Sequence, residues 1–87
     1  MKLYIIVAFH EGIAHTLQLG GKIAWNFSRP MKLYKSLDRA KKMAHKVNTE
    51  WRCDKVRVYE IEEGECVSSS KYREWDDRIR YEINNKS

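Results

Sequence analysis

Residues 2–9 are apolar on both sides of an extended chain, with Leu3, Ile5, Val7 and Phe9 on one side and Tyr4, Ile6 and Ala8 on the other. A strand apolar on both sides is expected at the centre of a sheet or at an interface. His10-Glu11-Gly12 then marks a turn, with Gly12 free to take positive φ. An alternation follows: His15, Leu17 and Leu19, then Ile23, Trp25 and Phe27 beyond Gly20-Gly21-Lys22. A three-residue loop at those positions pairs Leu19 with Ile23, Leu17 with Trp25 and His15 with Phe27. The large apolar groups then share one face. Strands are therefore expected near 14–19 and 22–28, and Pro30 ends the second.

The period changes after a short connector. Leu37, Ala40, Met43, Ala44 and Val47 recur at spacings of three and four, which predicts a helix near 36–48. Ser36 suits its N-cap and Asp38 its positive start. Lys42 and Lys46 suit its negative end, and Asn48 offers a stop. Leu37, Ala40, Ala44 and Val47 are expected against Ile5, Val7 and Val58. Two further strands are expected near 55–61 and 65–69. Residues 71–83 admit two readings. Tyr72, Trp75, Ile79 and Ile83 fit a second helix, which we favour, whereas Ile79, Tyr81 and Ile83 alternate as an edge strand would. Residues 84–87 are expected to fray. The fold class is α+β: a small antiparallel sheet with one amphipathic helix on one face, in a single domain over 1–83.

Eighty-seven residues leave no room for a second domain of ordinary size. No apolar run approaches the roughly 20 residues of a membrane span, and residues 3–9 are too short for a signal-peptide core. A cytoplasmic location and no membrane partner are expected. Cys53 and Cys66 have twelve residues between them and no second pair. Free thiols are favoured, with a single bridge left open.

The net charge of +5 is unevenly spread. Residues 1–35 carry five basic groups against Glu11 alone, whereas residues 56–87 carry eight acidic against six basic. A basic side facing a negative partner is expected.

Candidate chemistry is sparse. His10, His15 and His45 with the two cysteines form no CxxC, HxxxH or HExxH unit, so no metal or cofactor is expected. Cys53 lies beside Arg52, a neighbour that would lower its pKa, and Ser68-Ser69-Ser70 reads as a turn or cap. The acids Glu60, Glu62, Glu63 and Glu65 surround a turn without a cleft motif. The chain is expected not to be an enzyme. Trp25, Phe27, Arg29, Lys32, Tyr34 and Lys35 interleave aromatic and basic groups, a pattern that can stack bases and neutralise phosphates. Arg39, Lys42 and Lys46 continue the basic row on the helix, opposite its apolar stripe. With Trp51, an aromatic of the type enriched at interfaces, Arg29, Lys32, Lys35, Arg39, Lys42 and Lys46 are the candidate partner-binding residues.

Three segments, Leu3-Tyr4-Ile5-Ile6-Val7, Ser36 to Ala44 and Lys55 to Ile61, resemble small bacteriophage accessory proteins of β-α-β outline, some anti-CRISPR proteins among them. The resemblance covers about a quarter of the chain. It implies a non-enzymatic inhibitor or adaptor that blocks or redirects a host or defence complex by binding it in the host cytoplasm. Protein binding is therefore the leading expectation and a basic nucleic-acid-binding domain the alternative. A homodimer through a sheet edge is compatible with either.

Overall fold

The computed structural model describes residues 1–18, 32–64 and 76–85, together with the backbone of 23–24. The strands are β1 (Lys2–His10), β2 (Ile13–Leu17), β3 (Ile23–Ala24), β4 (Lys55–Glu62) and β5 (Ile79–Asn84), and the helix is α1 (Leu37–Glu50). They form one antiparallel sheet in the order β3-β2-β1-β4-β5 with α1 packed on one side, an α+β fold.

The doubly apolar β1 lies at the centre of the sheet. Ile6 and Ala8 meet Val56, Val58, Leu17 and the helical Ala40, Ala44 and Val47 in one cluster, while Leu3, Ile5 and Val7 join Tyr59 and Ile61 in another. This corrects the expected helix contact. Ile5 and Val7 lie on the far face, because β1 pairs Ile6 with Val58 and alternation sends the neighbours of Ile6 through the sheet. Leu37 flanks the helix-side cluster rather than being buried in it. Ala40 and Ala44 are fully buried, and their small side chains let the helix approach the sheet closely.

Helix α1 starts as its sequence predicts. Ser36 is extended, and its hydroxyl accepts the Arg39 backbone N–H at 3.5 Å. The end differs from expectation. Asn48 does not stop the helix, which runs two residues further, and the Trp51 backbone N–H donates to the Val47 carbonyl at 2.8 Å. The last turn consequently holds no basic residue and includes Glu50, so Lys42 and Lys46 stand upstream of the negative helix end.

Between β1 and β2 the chain makes a two-residue turn, with Glu11 at φ 52 and Gly12 at φ 80 and His10 paired with Ile13. Positive φ at both central positions matches the twist of a tight hairpin. Beyond β2, Leu17 pairs with Ile23 and Thr16 with Ala24, two residues out of step with the expected register. The proposed loop at 20–22, the rest of the strand to 28 and the strand at 65–69 lie outside the described residues. The connector returns to the sheet at Tyr34, whose backbone N–H and C=O both bond Tyr4, at 2.9 and 2.8 Å.

The favoured second helix is not formed over 76–83, and residues 71–75 lie outside the described residues. A single 3-10 turn, Asp76–Arg78, leads into β5. Pairing with β4 decides the matter, since it buries Tyr81 and Ile83 beside the helix-side cluster. A bulge pairs Val58 with Tyr81 and Tyr59 with Ile79, and so turns Ile79 to the opposite face. Asn84 ends β5, and Asn85 is tied down by its backbone N–H to the Asp54 carbonyl at 2.8 Å, so these two do not fray as expected.

Candidate partner-binding surface

The outer side of α1 is built by the same periodicity that buries Ala40, Ala44 and Val47. Arg39, Lys42 and Lys46 are exposed on it, and Lys35 is exposed just ahead of the N-cap. None of the four forms an ion pair among the described residues. Lys32 is half-buried with its ammonium 5.7 Å from the Tyr34 ring centroid. Trp51, 44% exposed, stands where α1 ends, followed by exposed Arg52. Arg29 lies outside the described residues, as do Trp25 and Phe27.

Three of the four cations on the described strands are paired with carboxylates, and the fourth, Lys55, lies 5.1 Å from the Phe9 ring centroid. Lys2 and Arg80 share the Glu60 carboxylate at 3.6 and 3.3 Å. Arg57 donates through Nε to Glu82 at 2.7 Å and through a terminal nitrogen to the Tyr59 hydroxyl at 3.2 Å, with Asp76 at 3.9 Å. Its guanidinium also stands 5.3 Å from the Phe9 ring centroid. The acids of the 60–63 segment are thus partly committed, Glu60 to two cations. Among the described residues, positive charge without a carboxylate partner is concentrated instead on the connector and α1.

One flank of the helix face is closed by contacts the sequence reading did not foresee. Lys41 lies 5.3 Å from the Tyr81 ring centroid, and His45 Nε2 is hydrogen-bonded to the Tyr81 hydroxyl at 2.5 Å. The one available signal was the spacing of four between Lys41 and His45, which places them on one side of the helix. Their aromatic partner comes from β5 and was hidden with it.

The remaining candidate chemistry disperses. His15 is half-buried, and burial, followed by the proximity of His10, lowers its pKa below 6.5. Among the described residues no three metal-ligating side chains come together. Cys53 is a free thiol whose pKa is raised by burial and then by Asp54, contrary to the expected influence of Arg52. Its sulfur lies 3.4 Å from the Trp51 carbonyl, an acceptor that favours the protonated form. Cys66 and the three-serine run lie outside the described residues.

The sheet edge is poorly suited to strand addition at β5. The bulge interrupts it, and Arg80 and Glu82 project charge there, a combination that blunts edges. No helix among the described residues is long and apolar enough to cross a membrane. No protein-family model, curated protein or solved structure matches the chain.

Proposed function

We propose that this chain is a non-enzymatic binding protein whose cationic helix face engages an acidic surface of a partner protein. The resemblance to phage accessory proteins extends the proposal: the contact inhibits or redirects a host complex, defence complexes included. The observation that carries it is the contrast in charge pairing. Lys2, Arg57 and Arg80 on the sheet each have a carboxylate within 4.0 Å, whereas Lys35, Arg39, Lys42 and Lys46 have none among the described residues. Unpaired cations stay hydrated and available, and they steer an acidic partner during encounter. Exposed Trp51 at the helix end adds an anchor of the type that dominates interface energies.

Nucleic acid is the second reading, favoured by the same cations. It draws less support from the connector, because the Tyr34 hydroxyl is buried and the ring has Lys32 beside it, which leaves Tyr34 a poor stacking platform.

Immobilised protein and its R39Q/K42Q/K46Q variant, challenged with bacterial lysate with and without nuclease, test the proposal. A nuclease-resistant protein should be retained at low ionic strength, released by salt and lost from the variant. Retention of nucleic acid alone would transfer the function to the second reading. Equal retention by both proteins would remove the helix face from the function.

A further inference from the structure

We infer that the partner element seated on this face is an acidic α-helix lying along α1, an inference that rests on the protein-binding proposal above. The spacing of the cations carries it. Arg39, Lys42 and Lys46 stand at offsets of 0, 3 and 7 on α1, and Lys35 precedes its N-cap. With a rise of about 1.5 Å per residue, these three are roughly 4.5 and 6 Å apart along the axis. Carboxylates at the same spacings along a second helix, taken in reverse order when it runs antiparallel, meet them one to one. An extended segment presents same-face residues about every 6.6–7 Å and falls progressively out of step along the row.

The shape of the surface fits the same occupant. The row is a single cation wide, since Lys41 and His45 on one flank are engaged with Tyr81. A narrow, straight row suits a rod-like element better than a broad acidic patch. The helix dipoles favour an antiparallel placement, which sets the partner's negative end against the start of α1 near Lys35 and Arg39. Trp51, exposed beyond the last turn, then receives an apolar residue near the partner's N-terminus. Asp38 and Glu50 are the two acids on α1, and neither forms an ion pair with the row among the described residues.

Two synthetic helical peptides of identical composition test the inference. One carries glutamates at offsets 0, 4 and 7, complementary to Lys46, Lys42 and Arg39 in the antiparallel sense; the other scatters the same glutamates around the helix. Binding is read by fluorescence anisotropy at low ionic strength, alongside a single-stranded oligodeoxythymidine. The spaced peptide should bind on the order of tenfold more tightly than the scattered one, from several weak ion pairs acting together. R39Q/K42Q/K46Q should abolish that preference, with K42Q/K46Q as a milder variant in case the triple one loses its native circular dichroism. Equal binding of the two peptides, or binding of the oligonucleotide alone, would overturn the inference. If the peptides bind equally while a lysate protein is still retained through the same cations, the helical occupant is wrong and the protein-binding proposal stands. If that retention fails as well, both fall.

Discussion

The carboxylate of Asp54 accepts the backbone N–H of Glu11 at 3.1 Å, joining the start of β4 to the β1–β2 turn across 43 positions. The Asp54 backbone N–H donates to the Phe9 carbonyl at 2.7 Å, so one residue holds both the end of β1 and the first residue of the turn. Glu11 takes φ 52, a left-handed conformation that disfavours a side chain. Glu11→Gly should relieve that strain and stabilise the fold by roughly 0.5–1 kcal/mol, provided the Asp54 bond is kept. Asp54→Ala should destabilise it by about 1–2 kcal/mol through loss of a charge-assisted bond at an exposed site. Urea denaturation of both variants checks the opposite signs.

Close approach of α1 to the sheet depends on Ala40 and Ala44. Ala44→Leu should cost about 1–3 kcal/mol by overpacking, and Ile6→Ala about 2–5 kcal/mol by opening a cavity between helix and sheet. Leu37, at the cluster margin, should tolerate alanine with a smaller loss. An order of sensitivity with Leu37 above Ala44 in melting temperature would contradict the packing described here.

The helix and the central strand were legible because each shows one strong period. The hairpin register was not: a slip of two residues preserves which residues share a face, so alternation alone cannot separate Leu17–Ile23 from Leu19–Ile23. In β5 the residues satisfy both periods, and the bulge that sends Ile79 and Tyr81 to opposite faces is decided by pairing with β4. Asn48 suggested a stop, but the helix ends at Trp51, an extended residue that no left-handed terminator signal marks. The exposure of Arg39, Lys42 and Lys46 followed from helical spacing. Their lack of carboxylate partners did not, because that depends on where Glu60 and Glu82 are drawn by the sheet.

Stability should fall on mild acidification because of His15. Burial and His10 hold its folded-state pKa below 6.5, so the folded protein prefers the neutral ring. At higher pH neither state takes the proton. As pH falls through 6.5 the unfolded chain binds it first, and the loss is complete once pH passes the lower folded value. His15→Gln should flatten the melting temperature over that window, and His10→Gln should reduce the slope by a smaller amount. An unchanged slope in His15→Gln would assign it to other groups.

Arg57→Lys should not be a conservative change. Arg57 bonds Glu82 and Tyr59 with separate nitrogens and stands near the face of Phe9, and its side chain is largely buried. A lysine ammonium is a point charge on a flexible stem and cannot keep the fork geometry. A loss of about 1–3 kcal/mol is expected, part of it from the Glu82 carboxylate left poorly paired. The Arg57/Glu82 double-mutant cycle by chemical denaturation should show coupling, and additive losses would mean that the two side chains act independently.

The cations of α1 should be removable without unfolding the protein, which makes the proposed function testable apart from stability. Arg39, Lys42 and Lys46 are exposed and outside every ion pair among the described residues, so each neutral substitution should shift stability by no more than about 0.5 kcal/mol. Charge reversal is less clean. Lys42 follows Asp38 by four residues and Lys46 precedes Glu50 by four, so glutamate at either position creates a like-charge pair on one helix face. Each such pair costs about 0.2–0.5 kcal/mol. Reversing all three would also take the net charge from +5 to −1, a change of two for each substitution, and alter solubility with it. Glutamine at the three positions leaves a net charge of +2 and adds no repulsion. Its melting temperature should stay near that of the parent while association with an acidic partner slows, and the difference should fade as salt screens both proteins. A loss of binding that persists at high salt would point instead to Trp51, whose contact is apolar, and Trp51→Ala measured under the same conditions would show it.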